Sequence, residues 1–134
     1  MNEKEKIQWH PAFRQAIRAE LIEYRDDLNF IEEYPITTEP LRIDTLIIKK
    51  PPEVHIEKNI GRIFKGHNIV EYKSPEDSYS VDGYNKVLAY AYLYASLTRT
   101  NIKDMTATLM ASRHPRGLLK YLKEELSHRC RNCR

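Results

Sequence analysis

Apolar residues recur along the chain in two rhythms, and each change of rhythm marks an element. From His10 to Tyr24 the residues Phe13, Ala16, Ile17, Leu21 and Tyr24 gather on one side of a helix turning about 100° per residue. Pro11 suits the first turn of that helix, where a missing N–H costs nothing. Asn29 to Ile36 reads as a strand, with Pro35 near its end. Leu41 to Lys50 reads as a second strand. Its stretch Ile43 to Ile48 is nearly all apolar or β-branched, as a central strand requires, and Pro51 and Pro52 end it. Between Glu53 and Gly66, Gly61 and Gly66 suggest turns, while Ile60, Ile63 and Phe64 suit one short helical turn. His67 to Lys73 predicts a third strand, Ser74 to Ser80 a loop, Val81 to Leu97 a helix and Met105 to Ser112 a fourth strand. A last helix is expected from Pro115 to Leu126, carrying Leu118, Leu119, Leu122 and Leu126 on one face.

The predicted order is helix, three strands, helix, strand, helix. Successive early strands favour an antiparallel meander, and a helix between the third and fourth favours a crossover to a parallel strand. The expectation is therefore an α/β class fold of the α+β kind, a mixed sheet flanked by helices. A chain of 134 residues fits a single domain, taken as 1–126, with a flexible basic tail at 127–134. Hydrophobic residues make up 41% and charged residues 31%, an ordinary balance for a globular protein. No apolar run approaches the ~20 residues needed to span a bilayer. Met1 to Lys6 is charged with no apolar stretch behind it, so neither a membrane nor a secretory route is expected and the cytoplasm is. Two cysteines make no disulfide framework. The net charge of +3 is compatible with a nucleic-acid partner. With four glycines and neither a G-x-G-x-x-G nor a Walker pattern, nucleotide-dependent chemistry has no support. The five histidines are scattered, and no Ser-His-Asp or Cys-His arrangement stands out.

Carboxylates interrupt three of the apolar patterns. On the first helix Glu20 falls near the middle of the apolar arc, which is about 80° to either side of Phe13, and is expected to point inward. Asp44 sits between Ile43 and Thr45 in a strand apolar on both faces. Glu71 and Lys73 share one face of the third strand. Each admits a plain account: an ion pair for Glu20 with Arg14, Arg18 or Lys73, a cap or turn bond for Asp44, a surface ion pair for Glu71 and Lys73. Taken together, converging carboxylates would repel each other and raise each other's pKa, and a divalent cation resolves that conflict. Magnesium takes hard oxygen ligands, and a lysine on the same face can stabilise developing negative charge.

The segments Arg42-Ile43-Asp44 and Glu71-Tyr72-Lys73 resemble the two signature elements of the PD-(D/E)XK nuclease superfamily, with Glu20 matching a frequent third, helical acid. The predicted element order matches that superfamily's restriction-endonuclease-like core, and the resemblance spans Trp9 to Ser112. The wording Ile43 to Lys50, Ile60 to Phe64 and His67 to Pro75 is similar to a bacterial subgroup of small proteins related to recombination-promoting nuclease and transposase-type families. Two departures stand out: Pro40 lies four positions before Asp44 rather than beside it, and the chain ends soon after its last helix. The resemblance implies a nuclease that hydrolyses phosphodiester bonds in DNA with Mg²⁺ or Mn²⁺. Asp44, Glu71 and the carbonyl of Tyr72 would hold the metal, Lys73 would position water, and Glu20 would bind a water or second metal. The alternative is an inactive nuclease-fold module that binds nucleic acid or protein, dimeric in solution.

The stretch Tyr84 to Tyr94 is apolar and aromatic nearly all round. Core packing plus a homodimer face accounts for it, and base stacking is the second reading. Lys86 near its start, and Arg113, His114 and Arg116 at the beginning of the last helix, are candidates for contact with nucleic acid. His128, Cys130 and Cys133 would furnish part of a zinc site, but a fourth ligand is lacking nearby.

Overall fold

The computed structural model describes residues 9–36 and 42–131, with side chains to residue 127. Three helices and four strands follow in the order expected: α1 (Trp9–Glu20), β1 (Leu28–Pro35), β2 (Arg42–Lys49), β3 (His67–Lys73), α2 (Val81–Thr98), β4 (Met105–Ala111) and α3 (Arg116–Arg131). The strands form one mixed sheet in the order β1-β2-β3-β4. Both early pairings are antiparallel, and β4 returns parallel to β3 after α2 has crossed over.

The sheet separates two apolar clusters. Ile17 of α1 and Leu21 just after it meet Leu28, Ile47, Phe64 and Val70 on one face. Val87, Tyr90, Ala91 and Tyr94 of α2 meet Ile43, Leu46 and Ile69 on the other. Helix α3 packs against α2. Asn68, fully buried in β3, has its polar atoms satisfied: it donates to the carbonyls of Ile47 and Lys65 and accepts from the Lys65 N–H and the Thr106 hydroxyl. A buried amide is tolerable only when so satisfied. Here it ties the loop at Lys65 to the start of β3.

Three expectations are corrected. Helix α1 ends at Glu20, and Ile22–Tyr24 continues as a tight 3-10 turn. The last helix does not stop at Leu126 but runs through Arg131, so the tail expected from residue 127 is helical there. Nothing between Leu126 and Arg131 is a glycine or proline that would break it, and the Ser127 hydroxyl bonds back to the Lys123 carbonyl. The tyrosine helix is not apolar all round. Tyr90 and Tyr94 are buried, while Asp82, Asn85, Lys86, Ala89, Tyr92, Ser96 and Leu97 form an exposed face that mixes polar with apolar residues. No helix among the described residues is long and apolar enough to cross a membrane.

Candidate active site

The sheet is irregular at one place, and that place is Asp44. The β1–β2 ladder pairs Glu32 with Thr45 and Tyr34 with Ile43, and skips Glu33 and Asp44 between them. Glu33 has φ of 49°, the left-handed region that a non-glycine residue enters only at a cost. The strand changes face across it. Leu28 and Phe30 pack on the α1 side, yet Tyr34 and Ile36 pack on the α2 side. In β2 the same inversion separates Ile47 from Ile43.

The pairing of β2 with β3 stops in register with this kink. The last pair is Thr45 with Val70, and beyond it the strands diverge. Main-chain N–H groups left inside a protein need acceptors. Here side chains supply them. The Asp44 N–H donates to Glu71 Oε1 at 3.0 Å, and the Tyr72 N–H donates to Asp44 Oδ2 at 3.1 Å. Each carboxylate thus spans the fork to bond the opposite strand, which brings the two together. Glu71 pays for this position electrostatically. Burial and the neighbouring Asp44 push its carboxyl up to about 8, against a smaller opposing pull from Lys73.

A cavity of about 330 Å³ opens over the fork, walled by Asp44, Glu71 and Lys73 of the sheet, by Asp77 and Tyr79 of the following loop, and by Gly83, Lys86, Val87 and Tyr90 of α2. The Ser80 hydroxyl caps α2 by accepting from the Gly83 N–H at 3.0 Å, which fixes where the helix begins relative to β3. Lys86 enters the cavity from the second turn of α2 with its ammonium 5.7 Å from the Tyr90 ring centre. From the other face, the Tyr72 ring stacks on Phe13 of α1 at 4.5 Å. This anchors the start of α1, where His10 brings Nε2 to 3.8 Å from Asp44 Oδ2 and lines the same cavity.

Asp44, Glu71, Tyr72, Lys73 and Lys86 are therefore gathered as expected. Glu20 is not. It is exposed at the far end of α1, ten residues and so about 15 Å along the axis from His10. The helix is rolled away from the arc centred on Phe13, because Arg14 and Arg18 reach down to β1: Arg14 Nε and Arg18 Nη2 lie 3.2 and 3.1 Å from the Glu32 carboxylate, which also accepts from the Thr45 hydroxyl. That roll buries Ile17 and Leu21 and turns Ala16 and Glu20 outward. Arg113 is exposed, and His114 and Arg116 border a shallow groove on α3, apart from the cavity over the fork. The zinc reading concerns Cys133 and the side chains of His128 and Cys130, all outside the described residues. His10, Asp77 and Tyr79 were not foreseen. The histidine beside Pro11 looked like a plain helix start, and the tyrosine lay in a segment read as a loop.

Among the described residues no three His, Cys, Asp or Glu side chains group closely enough to chelate an ion by themselves. The donor set here is a pair of carboxylates. That suits magnesium, which is commonly held by one or two carboxylates and keeps several waters, better than it suits zinc, which wants four close ligands. No family model matches the chain, and neither a curated protein nor a solved structure does. Fold and cleft together define a mixed α/β domain with an acidic, lysine-flanked site at a strand fork.

Proposed function

We propose that the protein is a metal-dependent nuclease with a restriction-endonuclease-like core, hydrolysing phosphodiester bonds in DNA with Mg²⁺ or Mn²⁺. The observation that carries this reading is the fork itself. Asp44 and Glu71 are bonded across it to each other's strands, and Lys73 stands on the Glu71 side of the same cavity. Two carboxylates forced together at a half-buried position gain most from a hard cation. When bound, such a cation supplies Lewis acidity to a phosphoryl group.

The side chains then divide the work. Asp44 and Glu71 hold the ion, and the Tyr72 carbonyl, at the same break in the ladder, is the third oxygen the resemblance implies. Lys73 offers an ammonium to the negative charge that builds on the phosphoryl oxygens as water attacks and the P–O ester bond breaks. Lys86 lies at the cavity wall to meet a flanking phosphate. Glu20, exposed and distant, has no part.

The test is conversion of supercoiled plasmid in Mg²⁺ or Mn²⁺ by the purified chain. Lys73→Ala is expected to lower the rate by about 100-fold or more, the usual loss when one donor to a developing anion is removed. A Lys73→Ala chain that cuts as fast as the parent refutes the assignment.

A further inference from the structure

The wall of the cleft contains a hydroxyl that nothing in the fold uses. Tyr79 is 5% exposed, and its Oη has no hydrogen-bond partner among the described residues. Buried hydroxyls are nearly always bonded, so an orphan calls for a reason. A phenylalanine would fill the same space without stranding an oxygen. The surroundings supply the reason. The Lys73 ammonium lies 5.9 Å from the Tyr79 ring centre, and the ring shares its cavity with Asp44 and Glu71. Burial first, and then the charges of Glu71 and Asp44, hold the phenol well above its ordinary range, so it stays protonated and is a donor. Of the carboxylates that share its cavity, Asp77 is exposed to water, which leaves those of Glu71 and Asp44 as the acceptors. One oxygen of each is taken by a main-chain N–H, Glu71 Oε1 by Asp44 and Asp44 Oδ2 by Tyr72. The other oxygens have lone pairs to spare.

We propose that Tyr79 is a positioning residue, whose hydroxyl donates to the Glu71 carboxylate when a divalent cation occupies the cleft and holds that carboxylate at the ion. This rests on the metal-site reading above. Ligating carboxylates are themselves held by hydrogen bonds from a surrounding layer, and losing such a partner weakens metal binding without removing a ligand. Glu71 is the partner rather than Asp44 because it shares its strand and strand face with Lys73, the residue whose ammonium lies 5.9 Å from the Tyr79 ring centre.

Tyr79→Phe in the full chain tests the assignment by two readouts that need no catalysis, calorimetric titration with MgCl₂ and melting in the metal-free state. The variant is expected to melt at the parent's temperature or above, since it sheds an unbonded buried hydroxyl. Its magnesium affinity is expected to fall by about 10–100-fold. A variant that binds magnesium as tightly as the parent shows a packing role and overturns the proposal. So does one that binds weakly but also melts lower, because the hydroxyl then has a structural partner. If the parent itself gives no binding heat, the metal site fails, and the role of Tyr79 fails with it. That result is distinct from a parent that binds and a variant that does so equally.

Discussion

In the folded chain the Glu71 carboxyl keeps its proton to about pH 8, against an ordinary value of 4.5, because it is buried beside Asp44. Between those values the native state binds more protons than the unfolded one, so stability must fall as pH rises. The contribution is complete below about 4.5 and gone above about 8. His67 acts in the opposite sense: burial lowers it from 6.5, so its effect raises stability with pH and is finished above that value. The Glu71 effect is therefore isolated on the alkaline side of His67. Metal-free protein is expected to lose melting temperature between about pH 7 and 8, and Glu71→Gln to flatten the profile. Saturating magnesium is expected to flatten it too, because the bound ion supplies the charge that the proton otherwise supplies. Melting curves in chelator and in magnesium across that range decide it. An unchanged slope in Glu71→Gln places the titration elsewhere. Asp44, Glu71 and Lys73 were all legible in the sequence, since a charge inside an apolar strand is conspicuous whatever the strand packs against.

At the scale of elements, local sequence located the strands and helices but not their roll or their junctions. The apolar arc of α1 includes Glu20 on an ideal wheel, yet the helix settles on the Ile17–Leu21 side because two arginines can then reach Glu32 on β1. An interaction between side chains far apart in sequence chose among faces that local periodicity leaves nearly equal. The turn Ile60–Ile63 illustrates the converse, a single residue that an element cannot do without. A Cβ on Gly61 would run into the side chain of Ile56, which is fully buried, and would touch Leu21 beyond it. Gly61→Ala is expected to destabilise by about 1–3 kcal/mol, the usual cost of forcing an extra carbon into a packed core. Chemical denaturation measures this, and a variant as stable as the parent would show that the loop yields freely.

Over the whole molecule, cations stand at both ends of the sheet. Lys73 and Lys86 line the cavity over the fork. A second, broader cavity at the start of β3 is bordered by Lys49, Lys65 and Arg99 with Asp104 as its acid. On the proposed function, DNA gains affinity chiefly by exchanging counterions for such side chains. Binding of a duplex oligonucleotide in calcium is then expected to weaken by about tenfold or more between about 50 and 200 mM salt. Fluorescence anisotropy reads this directly, and salt-independent binding would speak for a different partner.

The element order, the mixed character of the sheet and the acidic positions in β2 and β3 follow from the amino-acid sequence alone, because strand periodicity and misplaced charge are local properties of the chain. What tertiary structure decided is which acids meet. The kink at Glu33 and the end of the β2–β3 ladder free the Asp44 and Tyr72 N–H groups, and the carboxylates of Glu71 and Asp44 take them. The same packing excludes Glu20, and brings in His10 and Tyr79 from segments whose own patterns carry no chemical mark. Convergence depends on helix roll and strand divergence, and these are set by contacts between residues distant along the chain.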